Sequence, residues 1–139
     1  AVAGAAERAP SAVARRPAAT PEKDASALIA RLEGAYAAMN ADGFAALFTA
    51  NASVNEGSGR GLIRSKYADL FKRTTGATLS IGNVRWRALP DGRISGSGAI
   101  SVGNQYRGGG WRYAKGGVDL ELIRDGTAYR IASMIYRLN

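Results

Sequence analysis

From residue 26 the apolar positions fall at three- and four-residue steps. Leu28, Leu32, Ala35, Tyr36 and Met39 share one stripe, which predicts a helix, with Ser26 or Asp24 available as its cap. Asn40-Ala41-Asp42-Gly43 interrupts the pattern. Asp42 is then placed to cap a second, short helix in which Phe44, Leu47 and Phe48 share a face. Ala52 to Glu56 reads as a short strand and Gly57 to Gly61 as a loop. Ile63, Tyr67, Leu70, Phe71 and Thr74 mark a third helix, which Gly76 is placed to end.

Beyond that point the period changes to two, and two turns set the register. Pro90-Asp91-Gly92 fits a three-residue hairpin loop with its glycine in a left-handed conformation. Pairing outward sets Leu89 opposite Arg93, Ala88 opposite Ile94, Trp86 opposite Gly96 and Val84 opposite Gly98. Trp86 then lies over two glycines on an apolar face, while Arg87–Ser95 and Arg85–Ser97 form the other face. A two-residue loop would put both arginines among apolar residues. The apolar parity is odd at Leu79 and Ile81 and even at Val84 and Trp86, so Gly82-Asn83 predicts a bulge that bends the strand. Asp125-Gly126 predicts a two-residue hairpin that pairs Leu122 with Tyr129, Leu120 with Ile131 and Glu121 with Arg130. Gly108-Gly109-Gly110 separates two long strands, 93–107 and 111–124. The expected fold class is α+β: N-terminal helices packed against a strongly curved, antiparallel-rich sheet.

Composition removes much chemistry from this picture. The chain of 139 residues suffices for one domain and contains neither His nor Cys. That excludes Ser-His-Asp and Cys-His nucleophiles, disulfides, and thiolate or imidazole metal sites. No metal and no cofactor are expected. Residues 1 to about 25 are Ala, Pro and Arg with almost no large apolar side chain, and read as a linker or arm ahead of a single domain at 26–139. The first residue is Ala and there is no apolar signal core. The chain therefore reads as a fragment or processed piece, a globular domain tethered to a longer polypeptide, with a cleaved tag as the plain alternative. The tether and the lack of Cys point to an extracytoplasmic, periplasmic domain of a bacterial chain, with any membrane attachment made outside this stretch.

Charge refines the reading. The net charge is +8, and the arm, with four basic and three acidic residues, carries only +1 of it. The rest lies on the domain, at Arg60, Arg64, Lys72 and Arg73 around the third helix and at Arg85, Arg87, Arg107 and Arg112 on the strands. Arg interleaved with Tyr or Trp can bind single-stranded nucleic acid, but no such motif is present and a solvated basic surface is the preferred reading. Attraction to a small anion, an acidic protein partner or anionic lipid lies between these.

The stretch NADGFAALFTANASVNEG (40–57), followed by GRGLIRSKYADLFKRT (59–74) and a meander of long strands, resembles the nuclear-transport-factor-2-like superfamily. That group includes SnoaL-like polyketide cyclases and ketosteroid isomerases. The resemblance covers residues 27–139 and implies a cone-shaped α+β barrel: a curved sheet wrapped around a long helix, a pocket at its open end, and homodimers formed through the sheet. Enzymes, binders and scaffolds all use this fold.

The resemblance also implies candidate residues. The isomerases carry a catalytic carboxylate two residues after the Val of the short strand; Glu56 fills that place after Val54, unless it is an exposed residue leading into the loop. They carry a Tyr on the first helix that donates to the developing oxyanion. Anchored on Asn40-Ala41, Tyr36 falls one residue from that register, with Ala35 in the matching place, so a core or pocket-lining role stands beside the catalytic one. Asp119 is the nearest match to their second acid, but its alternation with Val118, Leu120 and Leu122 turns it outward. Tyr36, Trp86, Tyr106, Trp111 and Tyr113 are the expected pocket lining, the last two at the cone mouth beside the triple glycine; Tyr129 and Tyr136 are further aromatic candidates. Two functions follow. One is a non-catalytic ligand- or partner-binding and dimerisation domain tethered to a larger protein. The other is a cofactor-independent SnoaL-like isomerase or cyclase acting on a small apolar or ring-shaped carbonyl compound, with Glu56 as general base.

Overall fold

The computed structural model describes residues 20–126 and 128–139. The expected linker lies outside the described residues as far as residue 19. From Thr20 the chain is helical, earlier than the apolar stripe suggested: α1 spans Thr20–Ala37. Pro21 sits in the first turn, where a missing N–H costs nothing, and Glu22 faces the positive end of the helix. Ser26 and Asp24 are therefore interior residues of α1 and cap nothing; Asp24 instead pairs with Arg124, 3.0 Å apart. Ala25, Leu28, Ile29, Leu32 and Tyr36 form the buried stripe.

The second helix, α2 (Ala41–Ala45), is capped by Asn40 and not by Asp42: the Asn40 Oδ1 accepts from the Gly43 N–H at 2.9 Å. Asp42 occupies the first turn. Phe48 and the residues after it form β1 (Phe48–Val54), so the short helix ends before Leu47. The chain reverses at Asn55-Glu56 into β2 (Gly57–Ser58), with Val54 opposite Gly57. Gly59, at φ 108, leads into α3 (Arg60–Lys72). Gly76 does not terminate α3. It lies in β3 (Thr74–Ala88), where the Trp111 ring occupies the space a side chain would need.

Three long strands follow: β4 (Ile94–Tyr106), β5 (Trp111–Asp125) and β6 (Ala128–Leu138). The six strands form one sheet in the order β2-β1-β6-β5-β4-β3. β1 runs parallel to β6 and every other pair is antiparallel. Among the described residues β2 and β3 are the two edges and do not pair with each other, so the cone is an open curved sheet and not a closed barrel.

The β3–β4 hairpin has the expected register: Ala88 pairs with Ile94, Arg87 with Ser95, Trp86 with Gly96 and Arg85 with Ser97. Leu89 donates to Arg93 across a turn whose Gly92 has φ +86. The register shifts between Gly82 and Arg85, and Asn83 there adopts φ 54, a left-handed conformation that Asn tolerates. This is the bulge that the parity switch predicts. Its neighbour Ile81 N–H donates to the Glu33 carboxylate at 2.8 Å, tying α1 to the bend. Trp86 covers Gly96 alone, and Val84 covers Gly98.

The β5–β6 register departs from expectation. Asp125 pairs with Ala128 and Leu122 with Ile131, so Asp125 belongs to the strand and Gly126, at φ +73, begins the turn. A shift between Leu122–Ile131 and Glu121–Ser133 then leaves Ala132 as an extra residue in β6. It moves the inward positions from Tyr129 and Ile131 to Met134 and Tyr136. The Glu121–Arg130 pair does not form. Glu121 accepts from Arg93 at 3.0 Å, and Arg130 pairs with Asp125 at 2.6 Å and with the Ala46 carbonyl.

Candidate functional site

Within the cone α1, α3 and the inner sheet face meet at an aromatic cluster. Phe44 lies 4.4 Å from the Tyr67 ring and 5.5 Å from Phe48, and Tyr36 packs at 72° to Phe71 with centroids 5.3 Å apart. Beside it is a cavity of about 180 Å³, walled by Phe44, Tyr67, Leu79, Ile100 and Val102 and completed by Tyr36, Asn104, Tyr106, Lys66 and Tyr136.

The inner end is polar. Tyr36 Oη donates to Asn104 Oδ1 at 2.9 Å, and both residues are buried. That contact turns the other side of the amide, Nδ2, away from Tyr36. Asn104 Nδ2 is buried and has no hydrogen-bond partner among the described residues. Burial pushes the Tyr36 hydroxyl up to about 12, so its proton stays in place across the physiological range. Tyr67 is raised well above the ordinary tyrosine value, chiefly by burial and further by Tyr136 beside it.

A second polar group lies where Lys66 and Tyr136 meet the cavity. Lys66 Nζ pairs with the Glu56 carboxylate, donates to Tyr136 Oη at 3.2 Å, and sits 5.3 Å from the Tyr67 ring centroid. Tyr136 Oη also donates to Glu56 Oε2, 3.5 Å away. Asn55 holds Tyr136 from the backbone side: its Nδ2 donates to the Tyr136 carbonyl at 2.7 Å and its Oδ1 accepts from the Tyr136 N–H at 2.9 Å. The β1–β2 turn thereby carries both the clamp (Asn55) and the carboxylate (Glu56). Glu56 itself stands outside the cavity on the turn tip, with its side chain 43% exposed.

The candidate residues divide accordingly. Tyr36 and Tyr106 line the cavity; Trp86, Trp111 and Tyr113 do not. Trp86 belongs to a separate groove between α1 and the bend of β3. Trp111 and Tyr113 lie on the outer face of the sheet, stacked with centroids 5.7 Å apart and exposed by 42% and 71%. The reason is β5 alternation: Val118, Leu120 and Leu122 point inward, so odd-numbered positions point out. Asp119, also odd, takes a hydrogen bond from Ser97 at 2.6 Å and pairs with Arg137 at 3.1 Å, contacts that hold its carboxyl below the usual range. Asn104 and Lys66 are the site residues that the sequence reading missed. Asn104 shares the inward parity of Ile94 and Ile100, and a polar residue at that parity was the available signal. The basic residues around α3 form a groove of Arg60, Arg64 and Arg130, in which Arg60 donates to the Phe48 carbonyl at 2.8 Å and Arg64 lies 3.6 Å from Asp42. Among the described residues no cluster of three or more acidic side chains is arranged to hold a metal ion.

No protein-family model matches the sequence, and no curated protein matches it. Solved structures match closely in shape. A provisionally assigned scytalone dehydratase from Novosphingobium aromaticivorans superposes with a TM-score of 0.81 at 9% identity, covering 88% of this chain and 86% of that one. A nuclear transport factor 2-like superfamily protein from Salmonella enterica serovar Typhimurium gives 0.74 at 13% identity, over 86% and 92% of the two chains. The beta subunit of a provisionally assigned aromatic-ring-hydroxylating dioxygenase from Novosphingobium aromaticivorans gives 0.73 at 13%, over 89% and 92%. Identities this low speak for fold and not for activity. Helices cradled by a bent, open sheet, with a polar-ended cavity between them, are the architecture of that group: the chain has the nuclear-transport-factor-2-like cone fold.

Proposed function

We propose that the protein binds a small ring-shaped compound carrying a carbonyl or hydroxyl oxygen in its interior cavity, as a domain tethered to a larger polypeptide. The observation that carries this reading is Asn104 Nδ2, a buried donor without a partner among the described residues, on a residue that lines a mostly aromatic and aliphatic pocket. Leaving such a donor unmet costs roughly 1–3 kcal/mol, which a ligand oxygen would offset. The test is a thermal shift with 4-hydroxyacetophenone. Wild type is expected to gain stability and Asn104→Leu, which keeps the volume without the donor, to gain none. Equal shifts in both would remove the reading.

A second reading is the SnoaL-like isomerase or cyclase with Glu56 as base. Two observations favour it: the Glu56–Tyr136 contact, which connects the carboxylate to a cavity-lining hydroxyl, and the shape match to the scytalone dehydratase-like protein. Asn104, and not Tyr36, would then donate to the enolate oxygen, because the Tyr36 proton is already given to Asn104. Glu56→Gln would abolish proton exchange α to the carbonyl of a bound cyclic ketone while leaving its binding intact. Undiminished exchange in that variant excludes Glu56 as base. For partners, the exposed Trp111–Tyr113 pair makes the outer sheet face the proposed homodimer surface, and the Arg60–Arg64–Arg130 groove is where an acidic partner would meet the domain.

A further inference from the structure

Among the described residues that line the interior cavity, Lys66 is the only charged one. Its ammonium has three N–H donors. Glu56 and Tyr136 use two of them, and the third has no partner among the described residues. Glu56 reaches the ammonium from outside, on an exposed turn, so it can be exchanged without breaking the core. Cavity volume sets the size of the guest. An apolar cavity of about 150 Å³ holds one benzene ring, so 180 Å³ is room enough for a single six-membered ring.

We propose that the cavity's ligand is a monocyclic aromatic carboxylate with a hydroxyl or carbonyl substituent. The carboxylate replaces Glu56 at Lys66, the ring packs against Phe44 and Tyr67, and the ring substituent accepts from Asn104 Nδ2. This rests on the pocket reading given above and adds the charge and the ring number.

Calorimetric titration of the full chain with 4-hydroxybenzoate, 4-hydroxybenzamide and 6-hydroxy-2-naphthoate tests it. The acid is expected to bind about tenfold tighter than the amide, the scale of one charge-assisted hydrogen bond. Lys66→Met is expected to erase that preference while keeping amide binding, Glu56→Gln to strengthen acid binding, and the naphthoate to bind more weakly than the single-ring acid. Equal affinity for acid and amide, an acid preference that survives Lys66→Met, or naphthoate binding as tight as that of the single ring overturns the proposal. Those outcomes leave the pocket reading standing so long as Asn104→Leu weakens binding. Binding indifferent to Asn104→Leu removes the pocket reading instead, and absence of binding by all three compounds removes both.

Discussion

Tyr36 and Asn104, 68 residues apart in sequence, join α1 to β4 by a buried hydrogen bond of 2.9 Å. The bond has a structural and a functional side. It anchors the long helix to the inner sheet face, and it leaves the Nδ2 half of the Asn104 amide without a hydrogen-bond partner among the described residues. Tyr36→Phe leaves Asn104 Oδ1 buried without its donor, which is expected to cost roughly 1–3 kcal/mol in urea unfolding. The same residue makes stability depend on alkaline pH. A free tyrosine loses its proton at 10.0 and the folded Tyr36 at about 12. Between those values the unfolded chain binds fewer protons than the folded one, so stability falls as pH rises. Below pH 10 this contribution is fully present, and by pH 12 a loss on the order of 2–3 kcal/mol is expected from Tyr36. Urea midpoints at pH 9, 10 and 11 check this: Tyr36→Phe is expected to show a shallower alkaline decline than wild type, and identical declines would contradict the assignment.

Gly116 explains how closely β6 can approach β5. A Cβ built there would stand 1.7 Å from the Arg137 carbonyl oxygen, a backbone atom with no side chain to rotate away. Gly116→Ala is therefore expected to push out the end of β6, which holds Tyr136 and Leu138 at the cavity. Forced repacking of this kind costs typically 1–3 kcal/mol. Loss of the Asn55–Tyr136 clamp would appear as faster amide exchange at Tyr136, and an unchanged exchange rate would count against the close approach.

The outer sheet face makes a separate prediction. Trp111 and Tyr113 lie over Gly76 and Gly103, positions where a side chain would collide with the rings. If this aromatic platform forms the dimer surface, Trp111→Ser combined with Tyr113→Ser converts a sedimenting dimer to monomer with no change in far-ultraviolet circular dichroism. A wild-type chain that sediments as a monomer at the same concentration dismisses the platform as an interface.

What could be read from the sequence follows from which interactions are local. Pro90-Asp91-Gly92 fixes its own turn, so the β3–β4 register and the bulge at Gly82-Asn83 were both legible. Asp125-Gly126 does not fix its own frame, because the turn signal is compatible with neighbouring ones, and Asp125 stays in the strand opposite Ala128. The extra residue Ala132 leaves no mark in a stretch where small and apolar residues alternate irregularly. The parallel β1–β6 pairing depends on contacts far apart in the chain. At the site, Tyr36 could be read from the helix stripe. Trp111 and Tyr113 were expected at the cone mouth from the neighbouring glycines, although the alternation through Val118, Leu120 and Leu122 already turned them outward. Asn104 and Lys66 have meaning only through Tyr36, Tyr136 and Glu56, which the fold brings together.

In the proposed complex Asn104 Nδ2 meets a ligand oxygen inside the cone. Its side-chain amide resonance in a ¹⁵N-resolved proton spectrum reports on that contact directly. Titration with 4-hydroxyacetophenone, a neutral probe that does not depend on Lys66 pairing with a carboxylate, is expected to shift the Asn104 Nδ2 protons downfield in proportion to occupancy. An Asn104 resonance that stays fixed while other cavity signals move would contradict the account.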